Sequence, residues 1–157
     1  MKKLMEIRKK MKKNNRGFSL VELIIVIAIM AVLVAVLAPQ FLKYVEKSRN
    51  STDAQNATAI VSALQTYYVD PDATGIPAEG KMGTITVNAT NTTASDTDAT
   101  TFMTNAFKAE GLLTTTTCKS KQTWQEYTIT YTVTDGTIAF TYGGTAFNNY
   151  MTKGSAS

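Results

Sequence analysis

Two kinds of hydrophobic pattern divide the chain. Residues 18–38 read FSLVELIIVIAIMAVLVAVLA, 21 residues in which only Ser19 and Glu22 are polar. As a helix this stretch would be roughly 30 Å long, the thickness of a hydrocarbon core. After Pro39 the pattern turns amphipathic, and FLKYVEKSRNSTDAQNATAIVSALQTYYV sets Ala54, Ala57, Val61, Leu64 and Tyr68 on one helical face. The spacing predicts a single helix over residues 18–68, roughly 75 Å long, whose rear half packs on a globular head. Pro39 lacks a backbone donor and is expected to kink or locally melt it. Asp70-Pro71 should end it, because proline disfavours helical geometry in the residue before it.

Downstream the pattern shortens to strands. Threonine occurs 22 times between Thr84 and Thr152, a β-branched bias that suits strands and their loops. In Tyr127–Thr134 the residues Tyr127, Ile129, Tyr131 and Val133 alternate with threonines, and Asp135-Gly136 follows as a two-residue hairpin signal. Folding about that turn opposes Val133 to Ile138, Tyr131 to Phe140 and Ile129 to Tyr142 on one face. Thr134 then meets Thr137, and Thr130 meets Thr141, on the other. A shorter strand is expected at residues 84–88. A short helix is expected at 101–110, showing Phe102, Met103, Ala106 and Phe107 on one face before Gly111 ends it. Between them ATNTTASDTDAT reads as a polar surface loop. Neither the hairpin nor the rear helix can bury its apolar face alone. The fold class is therefore α+β, a long N-terminal helix packed against a small antiparallel sheet.

Charge changes the picture only when counted by region. Of 157 residues, the first 17 hold eight cations against Glu6 alone, while the other 140 hold eight cations and 11 anions. The pI near 9.1 therefore reflects a cationic leader and does not point to nucleic acid. Because that leader precedes the apolar run, the cation bias places the N-terminus in the cytoplasm and the rest outside. A secretory signal shares the first two features. Its cleavage site would have to be Val36-Leu37-Ala38, which Pro39 follows at once, so an uncut anchor or a cut elsewhere is expected.

The composition also bounds the chemistry. With no histidine and one cysteine, His-based catalysis and an intramolecular disulfide are excluded, and no cofactor or metal site is expected. Asp96 and Asp98 could serve as an acid pair or bind a cation, but they lack a third ligand at metal-site spacing. Asn50, Asn56, Asn88 and Asn91 each begin an Asn-x-Ser/Thr triplet, which chance explains in so Thr-rich a chain. Cys118 reads as a free thiol. Tyr67, Tyr68, Tyr127, Tyr131 and Tyr142 go by their spacing mostly to the core.

Glu22 is the residue out of place. Within a spanning helix an ionisable side chain costs up to about 3 kcal/mol, less near an end, and commonly marks a function. It either snorkels back to the headgroups or meets a partner. Gly17 separates the leader from Phe18, and a cut there would create an α-amino group four residues before Glu22, on the same or on a neighbouring chain.

Arg16-Gly17-Phe18-Ser19-Leu20-Val21-Glu22-Leu23, followed by an aliphatic stretch and Pro39, resembles the start of a type IV prepilin. The resemblance covers residues 16–70 well and the rest only in layout. It implies that a membrane-embedded prepilin peptidase cuts between Gly17 and Phe18 and N-methylates Phe18. It further implies that Glu22 meets the Phe18 amine of the neighbouring subunit and so sets the assembly register. The domain expectation is a leader over 1–17, a transmembrane or filament-core helix over 18–38, its amphipathic rear half over 39–70, and a sheet part of the head over 71–157. Met11 and Met1 are alternative starts that give the same mature product. One cysteine cannot close the C-terminal disulfide loop of many pilins, so residues 143–157 must be held by packing or remain loose.

The function implied is structural, with no enzyme activity. The chain would be a major pilus subunit, held in the inner or cytoplasmic membrane and then polymerised into an extracellular filament. Its partners would be itself, as a helical homopolymer, the peptidase, and the assembly platform with its ATPase. Adhesion, surface motility or DNA uptake would be its uses, with no direct nucleic-acid site. The alternatives are a pseudopilin of a secretion or competence system and, more remotely, an anchored enzyme or binding module.

Overall fold

The computed structural model describes residues 18–113 and 115–156. Helix α1 runs over Leu20–Tyr68, followed by strands β1 (Met82–Val87) and β2 (Thr92–Ala94) and helix α2 (Thr97–Glu110). Strands β3 (Tyr127–Thr134) and β4 (Thr137–Gly143) come next, and helix α3 (Thr145–Lys153) closes the fold. The chain divides into two compact units, Met1–Leu42 and Lys43–Ser157.

In the first unit, every described residue is exposed. The helical assignment continues through Pro39, so the proline does not melt the helix there. Ser19 and Glu22 start α1 as described below.

In the second unit, a four-stranded antiparallel sheet of order β2-β1-β3-β4 carries the apolar face. The β3–β4 register pairs Val133 with Ile138, Tyr131 with Phe140, Ile129 with Tyr142 and Thr134 with Thr137, as the alternation requires. Asp135 and Gly136 both take positive φ, 51° and 69°, the geometry of a tight primed turn. Their N–H groups donate to the two oxygens of Glu79, at 2.7 and 3.1 Å. Gly83 on β1 is required by a close approach, because a Cβ there would run into the ring and hydroxyl of Tyr131.

The core joins three layers of side chains. Ala57, Ile60, Leu64 and Tyr67 come from α1, Phe102, Met103, Ala106 and Phe107 from α2, and Ile85, Val87, Tyr127, Ile129, Tyr131 and Val133 from the sheet. The α2 face is the one its spacing indicates, and Gly111 ends that helix in the left-handed conformation at φ 68°. Tyr67 closes the end of α1, its hydroxyl donating to the Thr74 carbonyl and accepting from the Thr74 N–H, both at 3.0 Å.

Two expectations are corrected here, and a third alternative is decided. The buried stripe of α1 is rotated from the one the apolar residues trace: Ala57 and Leu64 are buried, whereas Ala54, Val61 and Tyr68 lie at its margin. Glu46, Asn50 and Asp53 occupy the stripe in their place, because a loop supplies them with hydrogen bonds. The segment read as a polar loop after β1 contains β2 and the first turn of α2. Asp96 starts that turn as N-cap by accepting from the Ala99 N–H at 2.8 Å, and buried Thr92 donates to the Thr116 carbonyl at 2.7 Å. The last segment is held, without a disulfide, as α3. Its Phe147 is fully buried, stacked on Tyr127 at 4.1 Å between centroids and edge-on to Trp124 at 5.1 Å.

Candidate functional site

The candidate site begins at Phe18. Its side chain is 89% exposed, and the large apolar residues that follow as far as Leu42 are exposed to lesser degrees. Among the described residues, α1 is the one helix long and apolar enough to cross a membrane. Within the described part of the first unit the Leu, Ile and Val on all sides of this helix are unburied, a pattern that suits lipid or other apolar helices as neighbours.

Glu22 has a local role that its position already encodes. The Ser19 N–H donates to a Glu22 carboxylate oxygen at 2.8 Å, while the Val21 N–H donates to the Ser19 hydroxyl at a longer 3.4 Å. Leu23 N–H donates to the Ser19 carbonyl at 3.2 Å and begins the helical ladder. Ser19-x-x-Glu22 is thus a capping box, in which residue and helix end satisfy each other's orphan groups. The signal, Ser followed three residues later by Glu at the head of an apolar run, was present in the sequence. Glu22 therefore has one hydrogen-bond partner within its own chain. Gly17 lies outside the described residues.

A second polar constellation lies in the head, where sequence patterning did not place it. Glu46, Asn50 and Asp53 rise at four- and three-residue steps along α1 and grip residues 118–124. One oxygen of Glu46 accepts from the Ser120 hydroxyl at 2.6 Å and from the N–H groups of Lys121, Gln122 and Thr123 at 2.8, 2.8 and 3.2 Å. Its other oxygen faces Arg49 at 3.4 Å. Asp53, fully buried, accepts from the N–H groups of Lys119 and Ser120 at 2.7 and 2.9 Å and from the Trp124 indole at 2.9 Å. The Cys118 thiol donates to it at 3.3 Å. Asn50 donates to the Thr123 hydroxyl at 2.9 Å.

Electrostatics follow from this geometry. Burial opposes ionisation of Glu46, but the hydrogen bonds from Ser120, Gln122, Lys121 and Thr123 outweigh it and hold its pKa at about 2. Burial, reinforced by the Asp53 charge, pushes the Cys118 thiol up to about 12. A thiol so placed is a hydrogen-bond donor and not a nucleophile. Burial likewise raises Tyr127, whose hydroxyl has no hydrogen-bond partner among the described residues. These groups fix a loop to a helix, and their arrangement suits support more than reaction.

The remaining sequence candidates separate. Asp96 and Asp98 line a surface cleft of about 340 Å³ with Lys81, Thr101 and Tyr131. Asp96 is held ionised by the Ala99 N–H and the Ser95 hydroxyl. Among the described residues no group of three or more His, Cys, Asp or Glu is placed to hold a metal ion. Asn50, buried and bonded to Thr123, is not open to glycosylation. Tyr67, Tyr127 and Tyr131 are in the core, while Tyr68 and Tyr142 border it.

Comparison with known proteins agrees with the N-terminal geometry. The family described as the prokaryotic N-terminal methylation motif matches residues 12–38. The type IV major pilin protein PilA of Myxococcus xanthus (strain DK1622) is 37% identical over 59 residues, 38% of this chain and 27% of its own length. The type IV major fimbrial protein FimA of Dichelobacter nodosus is 34% identical over 65 residues, 41% of this chain and 42% of its own. The chain thus spans well under half the length of these curated relatives. No solved structure matches it. What this chain shares with these named major pilins is its N-terminal part, a prokaryotic N-terminal methylation motif running into a capped apolar helix, and it is similar to type IV pilins there.

Proposed function

We propose that the chain is the structural subunit of a type IV pilus. It enters the inner or cytoplasmic membrane by residues 18–38, with its cationic leader on the cytoplasmic side. Prepilin peptidase cuts after Gly17 and methylates Phe18, and the subunit then polymerises through α1 into a surface filament. The assembly platform and its ATPase drive that transfer, and the filament serves adhesion, motility or DNA uptake. The observation that carries this reading is the fully exposed apolar half of α1, headed by Ser19 and Glu22 inside the methylation motif.

The physical argument concerns charge in a low dielectric. A cut at Gly17 creates an ammonium at Phe18, and opposite charges packed among apolar helices attract strongly when no water screens them. Glu22 of one subunit and the Phe18 amine of the next then fix the axial stagger of neighbouring helices, and Pro39 offers a point where the helix can bend on packing. The names of the relatives favour a pilus over a pseudopilin, and the clamp in the head favours a scaffold over an enzyme.

The test is the intact mass and N-terminal sequence of the protein taken from its native cell surface. A first residue of Phe18 carrying one added methyl group is the expected result. A start at Met1 or directly after Ala38 overturns the proposal.

A further inference from the structure

A cleft of about 340 Å³ lies wholly within the second unit, where the segment after α1, the start of β1 and the first turn of α2 meet. Ligand pockets span roughly 300–1,000 Å³, so this one is at the small end. Its rim is anchored on both sides. The Thr74 carbonyl, beside Gly75 at one end, accepts from the Tyr67 hydroxyl and from the Asn105 side-chain amide, both at 3.0 Å. The Gly80 N–H donates to the Val133 carbonyl at 3.1 Å, and the Val133 N–H donates to the Lys81 carbonyl at 2.9 Å. Asp96 is fixed as the N-cap of α2, and Asp98 follows in the first turn.

Tyr131 is the residue that points to a ligand. It is 2% exposed and lines the cleft. Tyr131 on β3 stands opposite Gly83 on β1, and because Gly83 has no side chain the phenol passes over it. Among the described residues the Tyr131 hydroxyl has no hydrogen-bond partner, whereas the Tyr67 hydroxyl makes two bonds. A polar group held on a buried side chain without a partner gains most from one that arrives later. Burial first, and then the charges of Asp96 and Asp98, raise the Tyr131 phenol above its ordinary value, so at neutral pH it keeps a proton to donate.

The surroundings of that phenol select the kind of ligand. Two carboxylates, Asp96 and Asp98, and one ammonium, Lys81, share the cleft with apolar Ile76 and Pro77. Lys81 has no ion pair among the described residues. An anion would face both carboxylates, and a cation would compete with Lys81 for them. A neutral hydroxyl suits all of these groups, since it donates to a carboxylate and accepts from the ammonium or the phenol.

We propose that Lys81, Asp96, Asp98 and Tyr131 form a binding site for a neutral saccharide, whose hydroxyl groups bond these four side chains while its C–H face lies on Ile76 and Pro77. The site belongs to the second unit alone and does not rest on the pilus reading. Failure of either leaves the other standing.

The test uses the full chain in phosphocholine micelles, which carry no sugar, and saturation-transfer NMR. The probes are maltose, cellobiose, lactose and diacetylchitobiose, with sialyllactose and glucosamine as charged counterparts. The expected result is transfer to at least one neutral probe, with affinity lowered at least about fivefold by Tyr131→Phe and by Asp98→Asn, the scale of one hydrogen bond. Tyr131→Phe keeps the ring and removes no hydrogen bond made among the described residues, so its urea midpoint should match that of the parent chain. Transfer to none of the neutral probes overturns the site, and so does undiminished affinity in either variant. Stronger transfer to sialyllactose or glucosamine than to every neutral probe overturns the ligand class. Calcium titration completes the test: calcium binding that Asp98→Asn abolishes would mark a cation site and overturn the saccharide site.

Discussion

Glu46 and Asp53 show how a charged residue can belong to a core. Each carboxylate replaces its lost water with several N–H or O–H donors from a single loop, and hydrogen bonds to an ionised group are the stronger kind. Glu46 has its folded pKa, about 2, below the ordinary value of 4.5. Its contribution is therefore complete above pH 4.5 and is lost as the pH falls towards 2, in total about 3 kcal/mol. Thermal unfolding of the full chain in detergent across that window should show the loss, and Glu46→Gln should be less stable at neutral pH and flatter below 4.5. A wild-type curve as flat as that of the variant would refute the assignment. Cys118 offers a second check. With its pKa raised to about 12, the thiol should resist iodoacetamide at pH 8 in the folded protein and react at the rate of an ordinary cysteine once urea unfolds it. Equal rates in both states would mean that it is not held against Asp53.

At the scale of elements, legibility followed from where each element's polar groups are satisfied. The β3–β4 hairpin could be read to the residue, because strict alternation and Asp135-Gly136 leave one register in which the apolar pairs share a face. The α2 face was equally plain. The stripe of α1 was not, since Glu46, Asn50 and Asp53 look like solvent positions until a loop 65 to 77 residues away in sequence arrives to bond them. Long-range side-chain partners leave no periodic trace. The capping box at Ser19 and Glu22 was legible but masked by the more conspicuous apolar run and the processing motif beside it. Helix α3 was missed because it buries little beyond Phe147. That ring nonetheless carries the packing of the C-terminal segment against Trp124, Tyr127 and Tyr142. Phe147→Ala should cost about 3–5 kcal/mol by urea denaturation and raise amide exchange over α3. A loss below 1 kcal/mol would show that the segment is held otherwise.

For the whole molecule, the two units divide the labour of holding and joining. Every residue of the apolar core lies between Ala57 and Phe147, so a chain of residues 43–157 contains the whole of it. Such a chain is expected to unfold cooperatively, to remain monomeric and to lose membrane association; a molten state by near-ultraviolet circular dichroism would contradict this. Joining falls to the first unit, and there the capping box has a kinetic meaning. Because Glu22 already accepts from the Ser19 N–H of its own chain, its carboxylate keeps one hydrogen bond, and its full charge, before a neighbouring amine arrives. On the pilus reading, polymerisation then becomes an exchange, one donor handed over for a better one.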